Sequence, residues 1–165
     1  MNKKLGFFIA ILIAICAFAV WRGVRPSTVY LSDMKFYVED YDWTEPAVDE
    51  TIDGNPIRIA DHLYAKGVST HATTIMEVAV PRWANRFVAE VGIDSQVKPD
   101  APSSVRFIVY GDGAVLYESP VMHPMDPPRR VDVWVDEIDN VKLVADAGAD
   151  NNSDHADWAD AKFVR

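Results

Sequence analysis

Beyond Trp21 the chain sustains no helical stripe. Its apolar residues come in short alternating runs cut by turn residues, and this restricts the fold more than any motif does. Ile75 to Val80 is apolar and rich in β-branched residues, and Pro81 ends it. Arg86 to Ile93 places Phe87, Ala89, Val91 and Ile93 on one face. Val105 to Tyr110 and Ala114 to Glu118 flank Gly111-Asp112-Gly113, a glycine-bearing hairpin signal. Arg130 to Val135 alternates Val131, Val133 and Val135 with Asp132 and Trp134; Val141 to Ala145 follows a turn at Asp139-Asn140. Ala159 to Val164 closes the chain, and Val29 to Leu31 and Phe36 to Val38 are weaker strands. Short strands at turn spacing predict an all-β fold, a β-sandwich or jelly roll.

The first 25 residues read differently. Lys3 and Lys4 precede an apolar run of 17 residues, Leu5 to Trp21, at the lower edge of what spans a bilayer. Ala17-Phe18-Ala19 also fits a cleavage site. Residues 1–25 are therefore expected to be an apolar signal peptide or signal-anchor helix with a short linker. Residues 26–165 form one exported domain, membrane-anchored or secreted. Four of the 16 basic residues and none of the 25 acidic ones lie in 1–25, which leaves 12 against 25, a formal charge of −13. Such a domain disfavours nucleic acid and anionic headgroups and suits cations and neutral glycans. The single cysteine, Cys16, lies in the apolar run, so the domain holds no disulfide.

Asp146 to Ala161 crowds five aspartates, two asparagines, His155 and Trp158 into 16 residues, the first ten without strand or helix periodicity. A loop of side-chain oxygens suits a calcium ion or a sugar whose apolar face rests on an aromatic ring. Asp150-x-Asn152-x-Asp154 imitates the start of an EF-hand loop, but His155 replaces the turn glycine and Ala161 the chelating glutamate. An EF-hand is rejected. A structural calcium on a sandwich loop stays open, with Asp150, Asn152 and Asp160 as candidate ligands. The histidines lack zinc spacing. Among 25 acids no carboxylate pair singles itself out for glycoside hydrolysis, and no nucleophile motif is present. Trp43, in an acidic loop with no periodic reason to be buried, is the candidate stacking surface. Trp158 is a candidate for core or platform. His71, after Gly67-Val68-Ser69-Thr70, is either a sugar contact or a core histidine.

Four segments, in order, resemble the NPCBM family of carbohydrate-binding modules: Tyr64-Ala-Lys-Gly-Val-Ser-Thr-His-Ala72, Phe87-Val-Ala-Glu-Val-Gly-Ile-Asp94, Val105-Arg-Phe-Ile-Val-Tyr-Gly-Asp-Gly113 and Asn151-Asn-Ser-Asp-His-Ala-Asp-Trp-Ala-Asp-Ala161. The resemblance spans about Val29 to Arg165. It implies a galactose-binding-like jelly roll, non-catalytic capture of galactose-containing glycans, and a calcium of the kind common in that fold group. Ser69 stands where the family pattern has glycine, and Gln96 to Ser103 is longer and richer in proline than the family's turn. The expected site is Trp43 or Trp158 for stacking, with His71, Asp154 and Asp157 pairing hydroxyls. Expected partners are a glycan and a separate glycoside hydrolase or envelope protein. The alternative is a cell-envelope structural or protein-interaction module of the same fold with no working sugar site.

Overall fold

The computed structural model describes residues 27–165 apart from Ala149. The predicted signal or anchor segment lies outside them. Among the described residues no helix is long and apolar enough to cross a membrane.

Thirteen strands form among these residues: β1 (Thr28–Tyr30), β2 (Tyr37–Tyr41), β3 (Ala47–Val48), β4 (Arg58–Ile59), β5 (His62–Leu63), β6 (Gly67–His71), β7 (Thr74–Ala79), β8 (Arg86–Ile93), β9 (Arg106–Gly111), β10 (Ala114–Glu118), β11 (Arg129–Trp134), β12 (Asn140–Asp146) and β13 (His155–Val164). One sheet runs β11-β8-β13-β6-β3, with β1 added to β13; the other runs β10-β9-β12-β7-β2. From β6 onward consecutive strands alternate between sheets, except at the β9–β10 hairpin. That is jelly-roll connectivity. The hairpin turns on Asp112 (φ 46°) and Gly113 (φ 87°), and two positive-φ residues are what a type I′ turn needs.

The inner faces enclose Phe87, Phe107, Phe163, Trp158, Met76 and Leu143. Phe107 stands edge-on to Trp158 with centroids 5.2 Å apart, and Phe87 tilts on Phe163 at 5.1 Å. Each such pair adds about 0.5–1.5 kcal/mol beyond area burial. The β4–β5 hairpin roofs the outer face of the β6/β13/β8 sheet, where Ile57 and Ile59 pack on Ala159. Gly92 permits this approach, because a Cβ there would fall 2.3 Å from the Ile59 side chain.

Two of the strands that carry the candidate residues depart from the sequence expectation. β13 begins at His155, four residues before Ala159, so Asp157 and Trp158 are strand residues. β6 was not among the expected strands, yet Gly67–His71 is a central strand with all five residues buried. A strand covered on both faces needs no alternation, and this one carries Ser69, Thr70 and His71 inside. In register, His155 lies opposite His71 and Asp157 opposite Ser69.

One end of the sandwich gathers several connections. Asp42 N–H donates to the Thr73 carbonyl (3.0 Å), and Ala72 N–H to the Asp154 carbonyl (2.9 Å). Ser104 N–H donates to Asp154 Oδ1 (2.8 Å). The β2–β3 loop, the β6–β7 turn, the β12–β13 loop and the start of β9 are thus tied into one rim.

Candidate functional site

Trp43 stands on this rim with 67% of its surface exposed. Its backbone is left-handed (φ 55°), and Thr44 N–H closes on the Asp42 carbonyl at 2.6 Å across it. A bulky residue in that region costs about 1–2 kcal/mol, so the surrounding contacts hold the indole out against a local preference. The ring packs edge-on to His71 (5.3 Å) and tilted on His155 (5.9 Å), and the two imidazoles lie 5.6 Å apart.

Each imidazole faces a carboxylate. His71 Nδ1 lies 3.5 Å from Asp42 Oδ2, and His155 Nδ1 lies 3.6 Å from Asp53 Oδ2. These separations are long for hydrogen bonds but close enough to favour a proton on Nδ1, which leaves Nε2 to accept from a hydroxyl. Burial, the largest influence, pulls the His155 pKa below its usual value; Asp53 opposes it and His71 adds to it. Asn151 Nδ2 donates to Asp42 Oδ2. A cavity of about 430 Å³, lined by Asp42, Thr73, Asn151 and Tyr41 among others, opens beside this group.

The sequence-predicted residues divide sharply. Trp43 and His71 meet here. Asp154 lies directly behind them, fully buried: its Oδ1 and backbone carbonyl brace the rim. Burial raises its pKa, the Ser104 N–H and His71 oppose the rise, and Asp150 adds to it. With no exposed surface it cannot meet a hydroxyl. Asp157 is likewise sealed beneath the β4–β5 roof, beside Asp94 and Ser69. Trp158 is 0% exposed in the core against Phe107, so it offers no platform. The expected sugar contacts at Asp154, Asp157 and Trp158 are corrected: two are strand residues turned into packed layers, and the third is a brace.

The expected calcium ligands do not converge. Asp150 Oδ1 accepts from Asn152 N–H (3.2 Å) and Nδ2 (3.1 Å), whereas Asp160 lies well along β13 against Lys162 Nζ (2.6 Å). Among the described residues no group of three or more histidine, cysteine or acidic side chains could hold a metal. These residues do not fit the ion as one site.

His155, Asp42, Asp53 and Asn151 were missed. The signal for His155 was available only through register: once β6 is a strand, its His71 faces whichever residue of β13 sits opposite. Asp42, Asp53 and Asn151 arrive from loops, which carry no periodicity.

A jelly-roll sandwich with an exposed indole, two imidazoles and their facing carboxylates on one rim has the architecture of a carbohydrate-binding module. The chain belongs to the NPCBM family: the NPCBM/NEW2 domain model matches residues 27–164. Among solved structures, CBM51-2 of Clostridium perfringens ZmpB in complex with GlcNAc superposes with a TM-score of 0.79 at 35% identity, covering 84% of this chain and 31% of that one. The CBM51 of Clostridium perfringens GH95 in complex with methyl-galactose gives 0.78 at 28% identity, covering 83% and 99%. The alpha-1,3-galactosidase B of Akkermansia muciniphila is 32% identical over 120 residues, 70% of this chain. A Renibacterium salmoninarum protein whose name proposes it as an endo-alpha-N-acetylgalactosaminidase is 35% identical over 156 residues, 88% of this chain. This chain spans 15% of the length of the Akkermansia relative and 10% of the length of the Renibacterium one.

Proposed function

We propose that the domain binds glycans without chemistry at the Trp43 rim, with a galactose or N-acetylglucosamine residue as the primary ligand. The observation that carries this reading is the exposed Trp43 held against His71 and His155 beside an open cavity. The indole takes the apolar sugar face. His155 Nε2, Asn151 and the Asp42 and Asp53 carboxylates take hydroxyls, and a sugar that leaves them unmatched loses affinity because they remain desolvated and unpaired. The two similar modules solved with methyl-galactose and GlcNAc support this choice of sugar. A monosaccharide of about 12 heavy atoms at roughly −0.3 kcal/mol each gives about −3.6 kcal/mol, a low-millimolar dissociation constant. Useful capture then depends on many copies or many epitopes.

Hydrolysis is disfavoured on physical grounds. It needs an accessible carboxylic acid with a raised pKa. The two raised carboxyls, Asp154 and Asp157, have no exposed surface. A catalytic partner in the same or another chain, and an extracytoplasmic location, accord with the relatives: one solved similar protein carries an M60 catalytic domain alongside its CBM51 domains.

The test is a glycan array with immobilised protein, with and without a calcium chelator, followed by titration of each hit. Trp43→Ala and His155→Ala should lower affinity at least tenfold with an unchanged far-UV spectrum. Binding by neither wild type nor variants, on a densely displayed folded protein, would transfer the domain to the envelope-interaction reading. Loss on chelation alone would reinstate a calcium on ligands other than those expected.

A further inference from the structure

The cavity beside the Trp43 rim is continuous with the candidate site yet is not part of the indole platform. Its volume, about 430 Å³, is in the range of pockets that hold small ligands. Asp42 and Asn151 form the shared wall: Asn151 Nδ2 donates to Asp42 Oδ2, and both residues line the cavity. On the rim side of that wall stand His71, His155 and Trp43. On the other side stand Asp40, Tyr41, Thr73 and Asp150.

Two observations point to a ligand on that side. Tyr41 exposes 46% of its surface at the cavity, a second aromatic beside Trp43. Asp40 is exposed and makes no side-chain hydrogen bond among the described residues, so its carboxylate is free to accept.

The charge of the lining sets what can enter. Asp40, Asp42 and Asp150 bring three carboxylates, and the described lining holds no lysine or arginine. A sulfate or a sialic-acid carboxylate would meet like charge there, whereas the hydroxyls of a neutral sugar donate to carboxylates at little cost.

We infer that this cavity is a second subsite, which receives the next neutral sugar of a glycan whose first residue sits on Trp43, and which rejects an anionic residue at that position. The inference rests on the proposed sugar site and defines its ligand class: an uncharged oligosaccharide of at least two residues. Tyr41 stacks on the second ring, Asp40 and Asp150 accept its hydroxyls, and the Asn151–Asp42 bridge lies under the glycosidic linkage.

The experiment uses the full chain with 15N labelling and three kinds of probe: methyl galactoside, galactosyl-N-acetylglucosamine disaccharides in β1,3 and β1,4 linkage, and their 6-sulfated counterparts carrying sulfate on the N-acetylglucosamine. The expected result is that one disaccharide binds at least about tenfold more tightly than the monosaccharide. Tyr41→Ala should abolish that gain and leave methyl galactoside affinity unchanged. The sulfated disaccharide should bind no better than the monosaccharide in wild type, and Asp40→Asn should recover part of the difference. Equal affinities for one sugar and two, or a gain that survives Tyr41→Ala, would overturn the subsite while the Trp43 indole resonance still moves on titration. If that resonance moves with none of the probes, both the subsite and the primary site fall.

Discussion

β6 and β13 carry two polar pairs on neighbouring rungs with opposite fates. His71 and His155 face each other at the sheet end, beside an indole that strains its own backbone to stay in water. Ser69 and Asp157, two residues inward on the same strands, are wholly buried with Asp94 under the β4–β5 hairpin. The Asp94 carboxylate is well served: Oδ1 accepts from Gln96 N–H (2.8 Å) and Nε2 (2.9 Å). Asp157 is not, and burial followed by the nearby Asp94 charge pushes its pKa well above the usual carboxylate range. Contact between two carboxyls is a hydrogen bond only when the pair holds a proton. Sequence proximity therefore says little about role here. A polar residue on these strands serves binding if loops frame it and architecture if a hairpin covers it.

The largest effect should separate the two tryptophans. Trp158→Ala removes a fully buried indole packed on Phe107, and should cost about 3–5 kcal/mol, seen as a lower urea midpoint. Trp43→Ala should change that midpoint by no more than about 0.5 kcal/mol, because an exposed side chain in a left-handed turn contributes little to the fold. Equal costs at the two positions would collapse the contrast between core and rim.

That contrast also shows where the sequence was legible. Arg86–Ile93 and Ala114–Glu118 coincide with observed strands, since β8 presents an uninterrupted inner face and β10 is bounded by its hairpin turn. β6 was illegible because a strand buried on both faces loses its alternation, and because glycine, serine and histidine carry no strand signal. The Asp-rich tail read as loop through His155, although β13 already starts there. Trp43 could be assigned from the lack of any burying pattern around it. Asp42, Asp53 and Asn151 could not, because their relation to the histidines is set by tertiary contacts between loops far apart in sequence.

A smaller effect tests the buried rung through pH. Asp157 binds its proton more tightly folded than unfolded, so its contribution to stability is complete below its unfolded pKa of 3.8. Above that value the unfolded chain binds fewer protons, and stability falls as pH rises toward and through the folded pKa. Asp157→Asn keeps an N–H donor toward Asp94 and removes the titration. Its denaturation midpoint should vary less with pH on this upward limb than wild type, and the variant should be the more stable of the two at the alkaline end of the limb. A wild-type midpoint that rises with pH, with the slope unaltered in the variant, would show that another carboxylate governs the limb.

The smallest effect lies on the rim rung and has the opposite sign. Burial lowers the His155 pKa from 6.5, so its contribution to stability is present above 6.5 and is lost as pH falls through the folded value. Asp53, 3.6 Å from Nδ1, is the opposing influence that raises it. Asp53→Asn should therefore move the His155 titration to lower pH, a shift readable from its imidazole proton resonances, while Asp157 and the buried rung remain as they were. The same substitution should weaken sugar binding only a few-fold, because His155 stays neutral at pH 7 but loses the carboxylate that favours a proton on Nδ1 and leaves Nε2 free to accept. An upward shift in the Asp53→Asn variant would mean that Asp53 does not face the ring in solution, and that the rim pair is oriented by Trp43 and His71 alone.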